Sequence, residues 1–171
     1  LRVTRENQRR EDGLSSSLQI AKAAEHLVCA DLILQGWNAF LADAGLPYDV
    51  LVDLGFGQFS RIQVKSTTSM MTERPKPNGG SYRPIYRFAL RRSRTADRRI
   101  TLESADVLAC VALDRRIIAY LKTEQIIKKD GDVPLGIEMK TRALDYSRRG
   151  VTGIDSNKVG RFMEDHATFI P

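Results

Sequence analysis

Asp49 heads the apolar run Val50-Leu51-Val52, and Gln63 and Lys65 stand in a second run, Arg61-Ile62-Gln63-Val64-Lys65. Gly55-Phe56-Gly57 between them reads as a turn that pairs the two runs as a hairpin. Residues two apart in a strand share a face, so Gln63 and Lys65 project together while Ile62 and Val64 point the other way. A carboxylate, an amide oxygen and an ammonium converging on one patch can hold a divalent cation and activate water beside it. A purely structural strand would not normally bring a lysine inward in an otherwise apolar run.

The surrounding elements have to place these groups. Ser15, Ser16 and Ser17 offer N-caps for a helix over about 18–35. In it Ile20, Ala23, Ala24, Leu27, Val28, Asp31 and Leu34 form a mostly apolar stripe that Asp31 interrupts. Glu25 borders that stripe, where it can point at the sheet. Gly36 reads as a C-cap, residues 37–40 as a short edge strand, and residues 48–66 as the hairpin. Residues 69–84 carry Lys76 among prolines and glycines and predict an irregular loop. Strands are expected over 85–90, 106–113 and 116–121, the second of them continuously apolar and therefore buried on both faces. Thr123 would cap a short helix over 124–129. Residues 131–153 read as loop, and 156–166 as a last helix with Val159, Phe162 and Met163 inward. The order predicts an α/β fold with a mixed β-sheet, in a single domain over 14–171 after a flexible basic arm at 1–13.

The order helix Glu, strand Asp, strand Gln-x-Lys resembles the PD-(D/E)XK nuclease superfamily. There an acid opens one strand, and an acidic residue, any residue and a lysine follow on its partner. The chain resembles more closely the group I intron homing endonuclease-like branch, which also carries Gln-x-Lys. Pro47-Tyr48-Asp49 matches the opening "PD" in a loosened form, and the resemblance runs from about residue 18 to about residue 127. It implies a restriction-endonuclease-like core, a mixed β-sheet flanked by helices in an αβββαβ order. It also implies a metal-dependent DNA endonuclease using Mg2+, with Mn2+ able to substitute. Glu25, Asp49, Gln63 and Lys65 would be catalytic. Asp49, Gln63, the backbone carbonyl of Val64 and Glu25 would hold the metal. Homing, junction-resolving and restriction or repair substrates remain open, as does an inactive DNA-binding or assembly module that keeps the fold.

Plainer readings stand beside these. Lys65 can be a solvent-facing strand lysine, Asp49 a turn residue after Pro47-Tyr48, and Glu25 an exposed acid on an amphipathic helix. Gln63 departs from the superfamily pattern by bringing an oxygen without a charge.

The chain has 171 residues, 42% hydrophobic and 28% charged, which is ordinary for a globular domain with a core of its own. A formal net charge of +6 favours a polyanionic partner. Arg91, Arg92, Arg94, Arg98 and Arg99, with Lys76, would form a track for DNA phosphates if the site is nuclease-like, and otherwise a solvated face. Double-stranded or branched DNA is the expected partner. Two-strand cleavage would call for a homodimer or homotetramer. Cys29 and Cys110 have no metal-ligand spacing and read as small buried hydrophobes. No apolar run is long enough to span a bilayer, so no membrane partner is expected, and a cytoplasmic location follows by default.

Overall fold

The computed structural model describes residues 17–71, 85–90, 100–127, 133–141 and 161–171. Helix α1 (Ser17–Leu34) is rich in alanine and leucine and has no glycine or proline in its span. It ends in a Schellman motif: Trp37 N–H bonds Leu32 O at 3.0 Å and Gly36 N–H bonds Ile33 O at 3.0 Å. Gly36 has φ +91°, a conformation glycine adopts without strain. Its buried line is Ala24, Glu25, Val28 and Leu32. Leu34, expected in the stripe, is instead exposed, because the line drifts around the helix and Leu32 takes the inward place. Asp31 interrupts the stripe for a reason: it accepts the Tyr120 hydroxyl at 2.6 Å and Gln35 Nε2 at 2.7 Å. Burial, then the Asp31 hydrogen bond, pushes the Tyr120 hydroxyl well above the usual phenol range.

Five strands form the main sheet: β1 (Asn38–Leu41), β2 (Val50–Gly55), β3 (Gln58–Thr67), then, after β4 (Tyr86–Ala89), β5 (Val107–Ala112) and β6 (Ile117–Lys122). Their order is β1-β2-β3-β5-β6. All neighbours are antiparallel except β3 and β5, which run parallel, so the sheet is mixed as expected. Every residue of β5 is buried. Val107, Ala109 and Val111 join Val50, Val52, Ile62 and Val64 in a core with Ala24, Val28 and Leu32 of α1. Leu108, Cys110 and Ala112 face the opposite core, with Tyr86, Phe88, Met139 and Met163.

That second core is closed by a three-stranded sheet in the order β4-β7-β8, adding β7 (Gly136–Lys140) and β8 (Arg161–Phe162). The 131–153 loop expectation is corrected by β7, in which Ile137 and Met139 turn inward opposite Phe88 and Tyr86. Its alternation is only five residues long and begins at a glycine, too short a signal to stand out. Gly136 is required there, since a Cβ would lie 2.8 Å from the Phe88 carbonyl oxygen. Of the last helix expected over 156–166, residues 161–166 form β8 and a 3-10 turn (Met163–His166), with Met163 inward as expected; residues 156–160, with Val159, lie outside the described residues, as do 142–153. Residues 124–127 make a 3-10 turn (Thr123–Gln125) and its exit, not an α-helix. The arm at 1–13 lies outside the described residues, as does the 69–84 loop apart from 69–71, of which Met71 bridges Ile85.

The parallel β3–β5 pair is pinned at its start. Asp106 accepts the Arg61 backbone N–H at 2.8 Å, and the Arg61 guanidinium grips both its oxygens, at 3.0 and 2.8 Å. That guanidinium holds the Asp106 carboxyl below its usual range. Asp106→Ala is expected to cost about 2 kcal/mol, discounted from a fully buried pair because both side chains are partly wet. A depressed carboxylate stabilises above its unfolded pKa and loses that contribution as pH falls through the folded one. Thermal melts from neutral to acid pH should therefore show a shallower acid-side loss in the variant than in the parent.

Candidate active site

The site forms where β2 begins beside the middle of β3. Asp49 is held by its own main chain: its N–H bonds Ile62 O at 2.9 Å and its carbonyl accepts the Ala42 N–H at 2.9 Å. Because β2 starts only at Val50, its ladder stops at Ile62 and offers Val64 no strand partner on that edge, while Ala109 of β5 pairs with Val64 on the other. The Asp49 carboxylate fills that place, with Oδ2 accepting the Val64 N–H at 2.7 Å and the Gln63 side-chain amide. In a strand the N–H and C=O of one residue point to the same edge, so the Val64 carbonyl opens towards the same gap. Gln63 and Lys65 project from the sheet face opposite Ile62 and Val64, which lie in the α1 core.

Glu25 reaches the gap from α1, on the other face, and is 8% exposed. It lies inside the buried line of the helix, not on its border. Burial raises the Asp49 carboxyl above its usual range; the Val64 N–H opposes this, Glu25 adds to it, and Lys65 and Lys22 pull back. The four predicted catalytic residues, Glu25, Asp49, Gln63 and Lys65, thus gather around one opening in the sheet.

Among the described residues no three His, Cys, Asp or Glu side chains gather as metal ligands. A cation here would rely on two carboxylates, Asp49 and Glu25, with neutral oxygens from the Gln63 amide and the Val64 backbone. Those are hard oxygen donors, the kind magnesium takes, and the mutual repulsion of the two acids is what a divalent cation offsets. The donor set fits such an ion. The Gln63 amide turns its nitrogen to Asp49; rotated by half a turn it would present its oxygen.

Other residues fall into structural roles. Asp53 closes the hairpin turn by accepting the Gly55 N–H at 2.7 Å. His26 is exposed, and neither Cys29 nor Cys110 is in a disulfide. Arg91, Arg92, Arg94, Arg98, Arg99 and Lys76 lie outside the described residues. Sequence reasoning missed Lys22, whose Nζ is 2.6 Å from Glu25 Oε2. The signal was there: it stands three residues before Glu25, on the same helical face.

A mixed five-stranded sheet carries one long helix on one face, and this arrangement has a counterpart among solved structures. The solved structure of a bacterial homing endonuclease, I-Ssp6803I, matches this chain with a TM-score of 0.50 over 72% of its length and 75% of the other's. The two are 17% identical, so the likeness is one of fold. No protein-family model and no curated protein matches the sequence. Among the described residues, no helix is long and apolar enough to cross a membrane.

Proposed function

We propose that this chain is a metal-dependent DNA endonuclease of the PD-(D/E)XK type, hydrolysing phosphodiester bonds with water as nucleophile. The observation that carries the reading is the Asp49 carboxylate, held on the Val64 N–H beside Gln63 and within the fields of Glu25 and Lys65. The net charge of +6 and the fold shared with a homing endonuclease support DNA as the polyanion.

Asp49, Glu25, the Gln63 amide oxygen and the Val64 carbonyl would hold magnesium, or manganese in its place. Such an ion supplies Lewis acidity and lowers the pKa of bound water. Lys65 brings a fixed positive charge to the phosphate as negative charge grows on its oxygens, without reorganisation at the moment of reaction. The sheet fixes Asp49 by two main-chain bonds and Lys65 by a ten-residue strand, so the groups stand ready before substrate arrives. Cutting both strands of a duplex needs two such sites, hence a homodimer or homotetramer.

A second reading, an inactive DNA-binding or assembly module, is favoured by Gln63, which leaves only two acids at the gap. Calorimetric titration with magnesium separates the readings: heat of binding that Asp49→Asn removes supports the nuclease, and its absence in folded protein supports the inactive module. Gln63→Glu would add the missing charge. It is expected to tighten cation binding by about tenfold, since charge count sets affinity at oxygen sites, and to lower the Tm of the cation-free protein by crowding Asp49.

A further inference from the structure

Lys22 and Glu25 form an ion pair of unequal partners. The Lys22 side chain is 59% exposed and the Glu25 side chain 11%, with Nζ and Oε2 2.6 Å apart. A pair three residues apart on a solvated helix leaves both ends in water and contributes little. Here the acid is sunk against the sheet beside Asp49, and the ammonium reaches over it from solvent. The charges of Lys22 and Glu25 both act on Asp49, in opposite senses. Lys22 therefore stands where positive charge is needed to keep two neighbouring carboxylates together.

We propose that Lys22 is the resident counter-ion of the site: it holds Glu25 in the cation-free protein and competes with a divalent cation for that carboxylate. The proposal rests on the reading of Asp49 and Glu25 as cation-binding groups. Entry of the cation requires the Lys22 ammonium to let go of Glu25 and swing outward, which its long exposed stem allows. Affinity for the cation is then set partly by a residue that never touches it.

The test is calorimetric titration of the whole chain with manganese and with calcium, for the parent, Lys22→Met, Lys22→Arg and Glu25→Gln. Lys22→Met should bind about three- to tenfold more tightly, the size expected from removing a partly exposed competing charge. Lys22→Arg should stay within about twofold of the parent, because it restores the competitor. In a Glu25→Gln background, where binding is weaker overall, the Lys22→Met gain should shrink to within about twofold, as a double-mutant cycle requires when most of the coupling runs through that carboxylate. An unchanged or weaker affinity in Lys22→Met, or a gain that survives Glu25→Gln, overturns the proposal while leaving the cation site standing. A folded parent that takes up neither cation overturns both. Lys22 is exposed, so its variants should fold, and circular dichroism checks this.

Discussion

Replacing Lys65 with methionine should slow DNA cleavage by about 10²–10³-fold, the cost of losing one preorganised charge at the transition state. Lys65 is half-buried on β3, and methionine keeps most of its apolar stem. The Tm should therefore move by no more than a few degrees, and single-turnover rates at saturating DNA should carry the loss, not affinity. Loss of DNA binding in equal measure would recast Lys65 as a phosphate anchor. A variant that cuts as fast as the parent would remove it from the site.

The second large effect is expected at Asp49, with opposite signs for activity and stability. Asp49→Asn should abolish cation-dependent cleavage, since on the proposed reading it removes one of the two charges that would hold the ion. It should also raise the Tm of the cation-free protein by about 2–4 °C, what ~1 kcal/mol is worth in a domain of this length. The reason is burial: the carboxylate has left water and feels Glu25, which together outweigh its bond to the Val64 N–H. Asparagine keeps an oxygen to accept that N–H and drops the buried charge. An acid whose folded pKa is raised makes the protein less stable as pH climbs from its ordinary value, 3.8, through the raised one. The gain in Tm should accordingly be largest at neutral pH and shrink as pH falls below the carboxylate range. Melts of the two proteins across that range check it.

Much of this arrangement could be read from residue order. The alternation of Arg61 to Lys65 separated Gln63 and Lys65 from the buried Ile62 and Val64, because a strand permits only two faces. The run Val107-Leu108-Ala109-Cys110-Val111-Ala112 could only be a strand covered on both sides, as it is. Other features depend on partners distant in sequence. Asp31 looked like a defect in an apolar stripe until Tyr120, on β6, supplied its hydrogen bond. The strand β7 depends on pairing with β4, and a short alternation that includes Gly136 and Glu138 does not announce such a partner. The same holds for the last segment, where the spacing of Phe162 and Met163 suited a helix but pairing of Phe162 with Lys140 made it a strand end. At the site, residue types were legible while their connections were not. The Val64 N–H bond to Asp49 arises from where β2 starts, and the Lys22 pair from how deeply α1 sinks Glu25.

On the proposed reading, the opening beside Asp49 cleaves DNA with the help of a divalent cation. The most direct test of this reading is a cleavage assay of parent and Asp49→Asn, side by side, on a randomised duplex library and on branched DNA, with magnesium, manganese or chelator present. Cut ends are mapped by sequencing. Discrete cuts by the parent that need the cation, absent from a folded Asp49→Asn protein, are the predicted result. A folded parent that cuts no substrate with either cation, or an Asp49→Asn protein that leaves the same cuts in the same yield, would contradict it.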